Sequence, residues 1–242
     1  MQRLLTRLIR RPDQGLRCFS NVVVKSPQRY AMPALQEKQP GLPKFVMKNF
    51  LDPSQKGSEA IVDGHTGETL TYEQVYAQTY SLAHQLRTQL KCKKGDIIAI
   101  MSPNHINYFS AFNGIALTGA ASTTINPLYV EEEVRYQLDL TKAKAIIAHS
   151  MCLPVALAAS GGKIPVIHMG AGLGEVKGTA DGKSPLKTKA DLSLADMLTT
   201  PLRSVDTDSF LPASGFDAES MVTVPFSSGT TGRAKGVMLS HR

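Results

Sequence analysis

Residues 95–127 read GDIIAIMSPNHINYFSAFNGIALTGAASTTINP, and this stretch decides the fold. Ile97–Met101 is a continuous apolar run, which suits a strand buried on both faces of a parallel sheet. A Pro-Asn turn then leads into a predicted helix over about 106–118, and Ala121–Ile125 follows as the next predicted strand. A strand, a helix and a second strand in this order predict a βαβ unit.

The same alternation continues downstream of that unit. A helix is predicted over 131–140, where acidic residues in the first turn suit the helix dipole, and a strand is predicted over 145–148. A small helix at about 151–159 and a strand over 165–169 come next. Buried strands that alternate with helices predict an α/β fold with parallel sheets and flanking helices.

Two elements precede this alternation. Residues 61–71 predict a hairpin with a Gly-containing turn. Thr71 and Gln74 have the spacing of a capping box, and apolar residues at helical spacing follow them. Residues 72–90 therefore predict an amphipathic helix.

The remaining stretches predict less regular structure. Residues 26–60 are rich in Pro, Gln and Lys and predict an irregular segment with one short helix near 46–51. Residues 170–190 are rich in Gly and Lys and predict a surface loop, while 193–198 predict a short helix. A final strand is predicted over 221–226.

Composition excludes several classes of protein. Of the 242 residues, 42% are hydrophobic and 19% charged, which excludes collagen-like, coiled-coil and wholly disordered chains. The net charge of +7 comes from residues 1–29, with seven basic and one acidic side chain, since residues 30–242 hold 20 basic and 19 acidic side chains. A near-neutral body predicts no nucleic-acid partner. No transmembrane segment is predicted, because no window offers 18 consecutive apolar residues.

The cysteines and histidines predict neither a disulfide framework nor a metal site. Cys18, Cys92 and Cys152 are far apart and form no C-x-x-C pair, which is typical of a reducing compartment. The six histidines show no ligand spacing and are interpreted as structural or surface residues. Of these, only His241 lies close in sequence to the segment that carries the chemistry.

That segment is residues 227–236, which read SSGTTGRAKG. Its glycines let backbone N–H groups converge on an anion, its hydroxyls add neutral donors, and Lys235 supplies a mobile positive charge. A predicted strand leads into the segment, so its base is expected to be rigid. The composition predicts a loop that binds a triphosphate.

Two other nucleotide-binding motifs do not fit this chain. Counted from Gly229, a Walker A loop requires Gly directly before the lysine and Ser or Thr directly after it. The chain has Ala234 before Lys235 and Gly236 after it. A nicotinamide-binding Rossmann motif would use residues 170–174, GAGLG, which follow a predicted strand. Glu175, however, stands where that motif requires Gly.

Residues 226–242, FSSGTTGRAKGVMLSHR, resemble the signature of the adenylate-forming superfamily, which includes acyl-CoA synthetases, 4-coumarate–CoA ligases, luciferases and peptide-synthetase adenylation domains. The family pattern is Ser/Thr-Ser/Thr-Gly-Ser/Thr-Thr-Gly-x-Pro-Lys-Gly-Val, and the chain departs from it at Ala234, where Pro is usual. Residues 95–129 and 131–147 resemble upstream parts of the same family. The likeness covers roughly residues 63–242 and favours the 4-coumarate– and fatty acyl-CoA ligases.

The resemblance implies an ATP-dependent carboxylic acid–CoA ligase, which makes acyl-AMP and pyrophosphate and then acyl-CoA and AMP. It implies ATP, Mg²⁺ and coenzyme A as cofactors and a carboxylic acid as substrate. By this resemblance, six residues hold the β- and γ-phosphates: Ser227, Ser228, Gly229, Thr230, Thr231 and Lys235. Gly232 and Gly236 would serve backbone geometry rather than contact with phosphate.

The residues and the resemblance together predict the organisation of the chain. We expect a mitochondrial targeting segment over 1–30, an irregular segment over 31–60, and a partial N-terminal domain of an AMP-dependent synthetase/ligase over 61–242. Adenine, ribose and hinge segments follow the phosphate loop in this family, so the 242 residues are expected to be inactive by themselves. A non-catalytic protein that binds a nucleotide or another chain is the alternative. The acid substrate and the oligomeric state stay undetermined.

The first eleven residues predict a targeting helix. At 100° per residue, the basic and apolar side chains fall on adjoining arcs: Arg3, Arg7, Arg10 and Arg11 on one, and Leu4, Leu5, Leu8 and Ile9 on the other. Pro12 ends the helix. A short, Arg-rich, acid-poor amphipathic start is typical of a mitochondrial presequence. The alternative is a basic tail on a cytoplasmic or peroxisomal protein.

Residues 1–30 fused to a fluorescent reporter are expected to carry it to mitochondria, because they combine the basic and apolar arcs of a presequence. Overlap with a mitochondrial dye in live cells measures this. The matched control replaces the four arginines of the first eleven residues with Gln and should leave the reporter diffuse. Diffuse fluorescence from the unchanged segment would contradict the targeting interpretation.

Overall fold

The structure is a computed structural model that describes residues 41–170, 191–211, 217–227 and 234–241. Its centre is a seven-stranded, mostly parallel sheet with helices against both faces, which confirms the predicted α/β fold. The predicted targeting segment, residues 1–30, lies outside the described residues. Residues 171–190, nearly all of the predicted surface loop, also lie outside them. No described helix is long and apolar enough to cross a membrane.

The described chain begins with three short elements: helix α1 (Leu42–Val46) and the hairpin strands β1 (Glu59–Val62) and β2 (Thr69–Thr71). The hairpin was expected over 61–71 and is confirmed. The short helix expected near 46–51 is wrong in position. Pro43 lies in the first turn of α1, where a missing N–H costs nothing, so the helix begins earlier than its apolar residues indicated.

The alternating region contains helix α2 (Tyr72–Gln89), β3 (Ile97–Met101), α3 (Tyr108–Leu117), β4 (Ala121–Ile125), α4 (Glu131–Thr141), β5 (Ala145–His149), α5 (Leu153–Ser160) and β6 (Val166–Met169). The predicted elements are confirmed, with ends that move by a few residues at most. Thr71 begins α2 as expected: its Oγ1 accepts from Gln74 N at 3.3 Å, and Gln74 Oε1 accepts from Thr71 N at 2.8 Å.

The C-terminal part of the described chain adds β7 (Leu192–Ser193), α6 (Leu194–Met197), β8 (Met221–Thr223), β9 (Phe226–Ser227), β10 (Lys235–Gly236) and β11 (Leu239–Ser240). The strand order in the main sheet is β11-β8-β4-β3-β5-β6-β7. All neighbours run parallel except β11, which is antiparallel to β8 at one edge.

The central strands separate two apolar cores. Ile98 and Ile100 of β3 pack with Leu86 of α2, in a core that also includes α3. Ala99 and Met101 belong to the opposite core, which is covered by α4 and α5. Successive side chains of a strand point to opposite faces, so a continuous apolar run is what a sheet covered on both faces requires.

The prediction of a single strand over 221–226 is wrong, because this stretch contains parts of two strands. The chain forms β8, leaves the sheet at Val224 and Pro225, and enters β9 in a separate two-stranded sheet. Pro225 has no N–H to donate, so a ladder cannot continue through it on that side. Strand β7 was not predicted, because two residues with one apolar side chain give no pattern.

His241 ties the end of the described chain to its beginning. Its Nδ1 accepts a hydrogen bond from Leu42 N at 3.1 Å, and its backbone N donates to Ser220 O at 3.2 Å. Burial lowers the pKa of the His241 ring. The neutral ring is therefore part of the fold, since Nδ1 must be unprotonated to accept.

Two further histidines meet at the carboxyl edge of the sheet. The rings of His105 and His149 are 5.5 Å apart, and each Nδ1 accepts a backbone N–H two residues later, from Asn107 and Met151. Burial is the main cause that lowers the pKa of both rings. These residues cap turns, in agreement with the structural interpretation of the histidines.

The free energy of unfolding is expected to fall as the pH drops below about 6.5, the pKa of an unfolded histidine. His105, His149 and His241 have lowered folded pKa values, so the folded state binds fewer protons than the unfolded state in this range. Their stabilisation is complete above the unfolded pKa and is lost as the pH falls toward the folded values. Urea unfolding at pH 7.5, 6.5 and 5.5 measures the change.

His241→Gln is the matched variant, because a side-chain amide keeps an acceptor oxygen but does not titrate. This variant should lose less stability than the unchanged chain over the same pH interval. Stability that stays constant or rises from pH 7.5 to 5.5 would contradict the neutral-histidine account.

Candidate functional site

Two short strands frame the predicted phosphate loop. β9 and β10 pair antiparallel, with Ser227 opposite Lys235 and Phe226 opposite Gly236. Opposite residues of an antiparallel pair present their side chains on the same face, so the side chains of Ser227 and Lys235 leave the two strands side by side. Both residues are exposed. The other predicted phosphate ligands, Ser228, Gly229, Thr230 and Thr231, lie outside the described residues.

The frame follows strand β8 alongside β4. Thr223, the last residue of β8, pairs with Ser122, near the start of the parallel strand β4, and the chain then passes directly into residues 224–227. We call residues 224–227 the outgoing limb and residues 234–236 the return limb. Open α/β sheets bind their ligands beyond the carboxyl ends of the strands, and the outgoing limb runs along β4 in that direction.

The outgoing limb is tied to β4 by hydrogen bonds. Val224 N donates to Ser122 O at 2.7 Å, and Thr123 Oγ1 donates to Val224 O at 2.8 Å. Beyond the return limb, Val237 N donates to Pro225 O at 2.9 Å. The base of the predicted loop is therefore fixed to the sheet, and its two sides are fixed to each other.

Gly236 packs closely against the outgoing limb. A Cβ at this position would lie 3.0 Å from Val224 Cγ1 and 3.1 Å from Phe226 Cε2, closer than most real Cβ contacts. A larger residue would require these two side chains to shift by a few tenths of an ångström. This observation agrees with the expectation that Gly236 serves backbone geometry rather than ligand contact.

The donor set of the described limbs suits an anion. Ser227 offers a hydroxyl and Lys235 an ammonium group, and residues 224–227 and 234–236 contain no carboxylate. A flexible ammonium point charge beside neutral hydroxyl donors is a usual arrangement for phosphate oxygens. Within the described ranges no group of three His, Cys, Asp or Glu side chains is placed to hold a metal ion.

Sequence reasoning missed part of what holds this site. Thr123 and Gln137 are fully buried polar residues that connect α4 and β4 to the outgoing limb. Nothing in their local sequence indicated this, because the contacts join segments far apart in the chain. His241, the one histidine near the loop in sequence, contacts Leu42 rather than either limb in the hydrogen bonds described above.

A model of the AMP-binding enzyme family matches residues 53–242 of the chain. The 4-coumarate–CoA ligase 2 of Petroselinum crispum is 33% identical over 182 residues, which cover 75% of this chain and 30% of that ligase. The 4-coumarate–CoA ligase 3 of Arabidopsis thaliana is 31% identical over 182 residues, covering 75% of this chain and 29% of that ligase. The chain thus spans less than a third of the length of the curated relatives it matches.

Solved structures share the fold. A red-emitting luciferase from Phrixothrix hirtus aligns with a TM-score of 0.66 at 23% identity, covering 86% of this chain and 47% of the luciferase. The anthranilate CoA ligase AuaEII, solved in complex with anthranoyl-AMP, aligns with a TM-score of 0.62 at 22% identity, covering 83% of this chain and 35% of that ligase. At these identities the likeness shows the fold alone, which is that of the N-terminal part of adenylate-forming enzymes.

Proposed function

The chain belongs to the AMP-binding enzyme family, and from this membership we propose that it forms the phosphate-binding part of an ATP-dependent carboxylic acid–CoA ligase. In the first step, a carboxylate oxygen of the acid attacks the α-phosphorus of ATP, and the bond from that phosphorus to the bridging oxygen of pyrophosphate breaks. In the second step, the thiol of coenzyme A attacks the acyl carbon, AMP leaves, and the thiol proton is released.

One observation carries the proposal: Ser227 lies directly opposite Lys235 in the strand pair that follows β8. The two residues bring a hydroxyl donor and a positive charge together, and the outgoing limb leads from β8 toward the carboxyl ends of the strands, where α/β folds receive nucleotides. The names of the matched relatives add support, since the similar curated proteins are 4-coumarate–CoA ligases. We infer that the acid is joined to coenzyme A and leave its identity to substrate screening.

The role we assign to Lys235 is electrostatic. Negative charge builds on pyrophosphate as it leaves, and positioned donors that meet this charge lower the barrier. The Lys235 ammonium would bind β- or γ-phosphate oxygens, and the Ser227 hydroxyl would donate to a neighbouring oxygen. Both side chains would orient the triphosphate so that its α-phosphorus faces the incoming carboxylate.

The limbs are suited to the phosphates rather than to a metal ion, because their described residues offer a hydroxyl and an ammonium group and no carboxylate. Mg²⁺ supplies charge neutralisation on a triphosphate when it is bound. We therefore propose that the ion reaches this site on ATP itself. Mitochondrial localisation through residues 1–30 remains part of the proposal.

Lys235→Ala is expected to raise the KM for ATP roughly tenfold to hundredfold in the ligase that contains this chain, because it removes a charge-assisted hydrogen bond. The measurement is ATP–pyrophosphate exchange with the acid at saturation. Lys235→Arg should recover part of the loss, because it keeps the charge in a different shape.

Lys163→Ala is the matched control for the lysine variant. Lys163 is exposed and precedes β6 at the amino edge of the sheet, away from the limbs. Its removal should leave the KM for ATP unchanged. A Lys235→Ala enzyme with an unchanged KM for ATP would contradict the proposed phosphate contact.

The 242-residue polypeptide assayed by itself is expected to give no ATP–pyrophosphate exchange. It spans less than a third of the length of the matched ligases, and we infer that residues needed around the acid and the nucleotide belong to the rest of such an enzyme. Exchange above the blank with any acid of a carboxylic acid panel would overturn this expectation. Such activity would also show that the described limbs lie in a complete active site.

A further inference from the structure

Helix α4 contacts the outgoing limb through a chain of buried side chains. Gln137 Nε2 donates to Thr123 Oγ1 at 2.8 Å and to Thr124 O at 3.0 Å. Thr123 Oγ1 in turn donates to Val224 O at 2.8 Å. Gln137 is 1% exposed and Thr123 is 0% exposed, so water does not compete for these bonds. One side chain of α4 therefore orients the hydroxyl that holds the outgoing limb.

The hydrogen bonds from Gln137 to Thr123 and from Thr123 to Val224 supplement a short backbone ladder between β4 and β8. Between β4 and β8 the described residues share one register pair, Ser122 with Thr223. After that pair the limb is tied to β4 at Val224, by the backbone bond to Ser122 O and by the Thr123 hydroxyl. The bond from Thr123 to Val224 is consequently one of few constraints on the direction in which the limb leaves.

The preceding residue of α4 reaches the return limb. Tyr136 is half-buried, and its Oη donates to Ala234 O at 3.5 Å, a long hydrogen bond. Ala234 is next to Lys235. Adjacent residues of one helix are thus linked to both sides of the predicted loop, Tyr136 directly and Gln137 through Thr123.

The bonds of Gln137 are made by one end of its amide. Its Oε1 is buried and accepts no hydrogen bond from any described residue. A buried acceptor without a partner destabilises a fold, whereas the two bonds that Nε2 donates stabilise it and fix the Thr123 hydroxyl. The amide at this position is accounted for by what its Nε2 holds in place.

We propose that Gln137 is a positioning residue of the ATP site: through Thr123 it fixes the outgoing limb and so sets the place of Ser227 relative to Lys235. Tyr136 supports the return limb in the same way with a smaller effect. This inference rests on the proposed function, since it concerns how the limbs present their donors to phosphate. Gln137 touches no reacting atom in this account and acts through Thr123.

The test measures binding of inorganic tripolyphosphate to the purified chain by titration calorimetry. Gln137→Met keeps the length of the side chain and removes both donated bonds. We expect the Kd for tripolyphosphate to rise about three- to tenfold, the effect of losing roughly one neutral hydrogen bond. Tyr136→Phe should raise the Kd for tripolyphosphate by less than about threefold, because the hydrogen bond that this change removes is long.

Gln85→Met is the matched control. Gln85 lies on α2, and its Nε2 donates to Thr200 Oγ1 at 2.6 Å, a tie between segments other than the limbs. This variant should leave the Kd for tripolyphosphate unchanged, whatever it does to the melting temperature. Equal weakening by the two Gln→Met changes would show a general loss of structure and would overturn the positioning role.

Two double variants distinguish positioning from destabilisation. Gln137→Met combined with Thr123→Val should bind no more weakly than the weaker single variant, because both residues act in one chain. Gln137→Met should also have a smaller effect in a Lys235→Ala background, since the donor being positioned is gone. Full additivity in both combinations would contradict the proposal. If Gln137→Met does not fold, Thr123→Val carries the same test, because it removes the terminal bond of the chain.

Failure of this inference and failure of the proposed function give different results. If Lys235→Ala weakens tripolyphosphate binding and Gln137→Met does not, the positioning role is wrong and the phosphate site stands. If Lys235→Ala leaves binding unchanged, the phosphate site is wrong and the positioning role fails with it.

Discussion

The pairing of β8 with β4 is the contact on which the site depends. Ser122 and Thr223 lie 101 residues apart in sequence, and their pairing sets the end of β8 beside the start of β4, so that the residues after Thr223 run along β4 toward its carboxyl end. A contact between such distant segments must offset the entropy of closing a long loop. It does so with the short backbone ladder, the bond from Val224 N to Ser122 O, and the buried hydroxyl of Thr123. Once β8 is paired with β4, Ser227 lies four residues beyond Thr223, and Lys235 lies opposite Ser227 on the other side of the predicted loop.

Much of the fold could be predicted because its signals are local. Ile97–Met101 and Ala121–Ile125 are observed at their predicted bounds, since side chains buried on both faces leave an apolar run in the sequence itself. The start of α2 was likewise local, because the capping box joins residues three apart. The error at 221–226 has the opposite origin. All its residues but Pro225 suit a strand, and only the tertiary structure shows that the chain changes sheets there.

The residues of the candidate site also fall into those with a local sequence signal and those known only from tertiary contacts. Ser227 and Lys235 were predicted from composition and resemblance, and the pairing of β9 with β10 makes them neighbours. Gln137, Thr123 and Tyr136 were not predicted, because Thr123 and Tyr136 contact limbs about 100 residues away in sequence, and Gln137 acts on a limb only through Thr123. Residues that present donors to a ligand leave a motif, whereas residues that hold the motif in place are visible only through their contacts.

The central claim is that the tail of a nucleoside triphosphate lies between Ser227 and Lys235. A crystal structure of the full-length protein with Mg²⁺ and a non-hydrolysable ATP analogue tests it most directly. The account predicts a β- or γ-phosphate oxygen at about 3 Å from Lys235 Nζ, with a neighbouring oxygen at hydrogen-bond distance from Ser227 Oγ. A fully ordered triphosphate bound elsewhere on the protein, with the Lys235 ammonium in solvent, would contradict it.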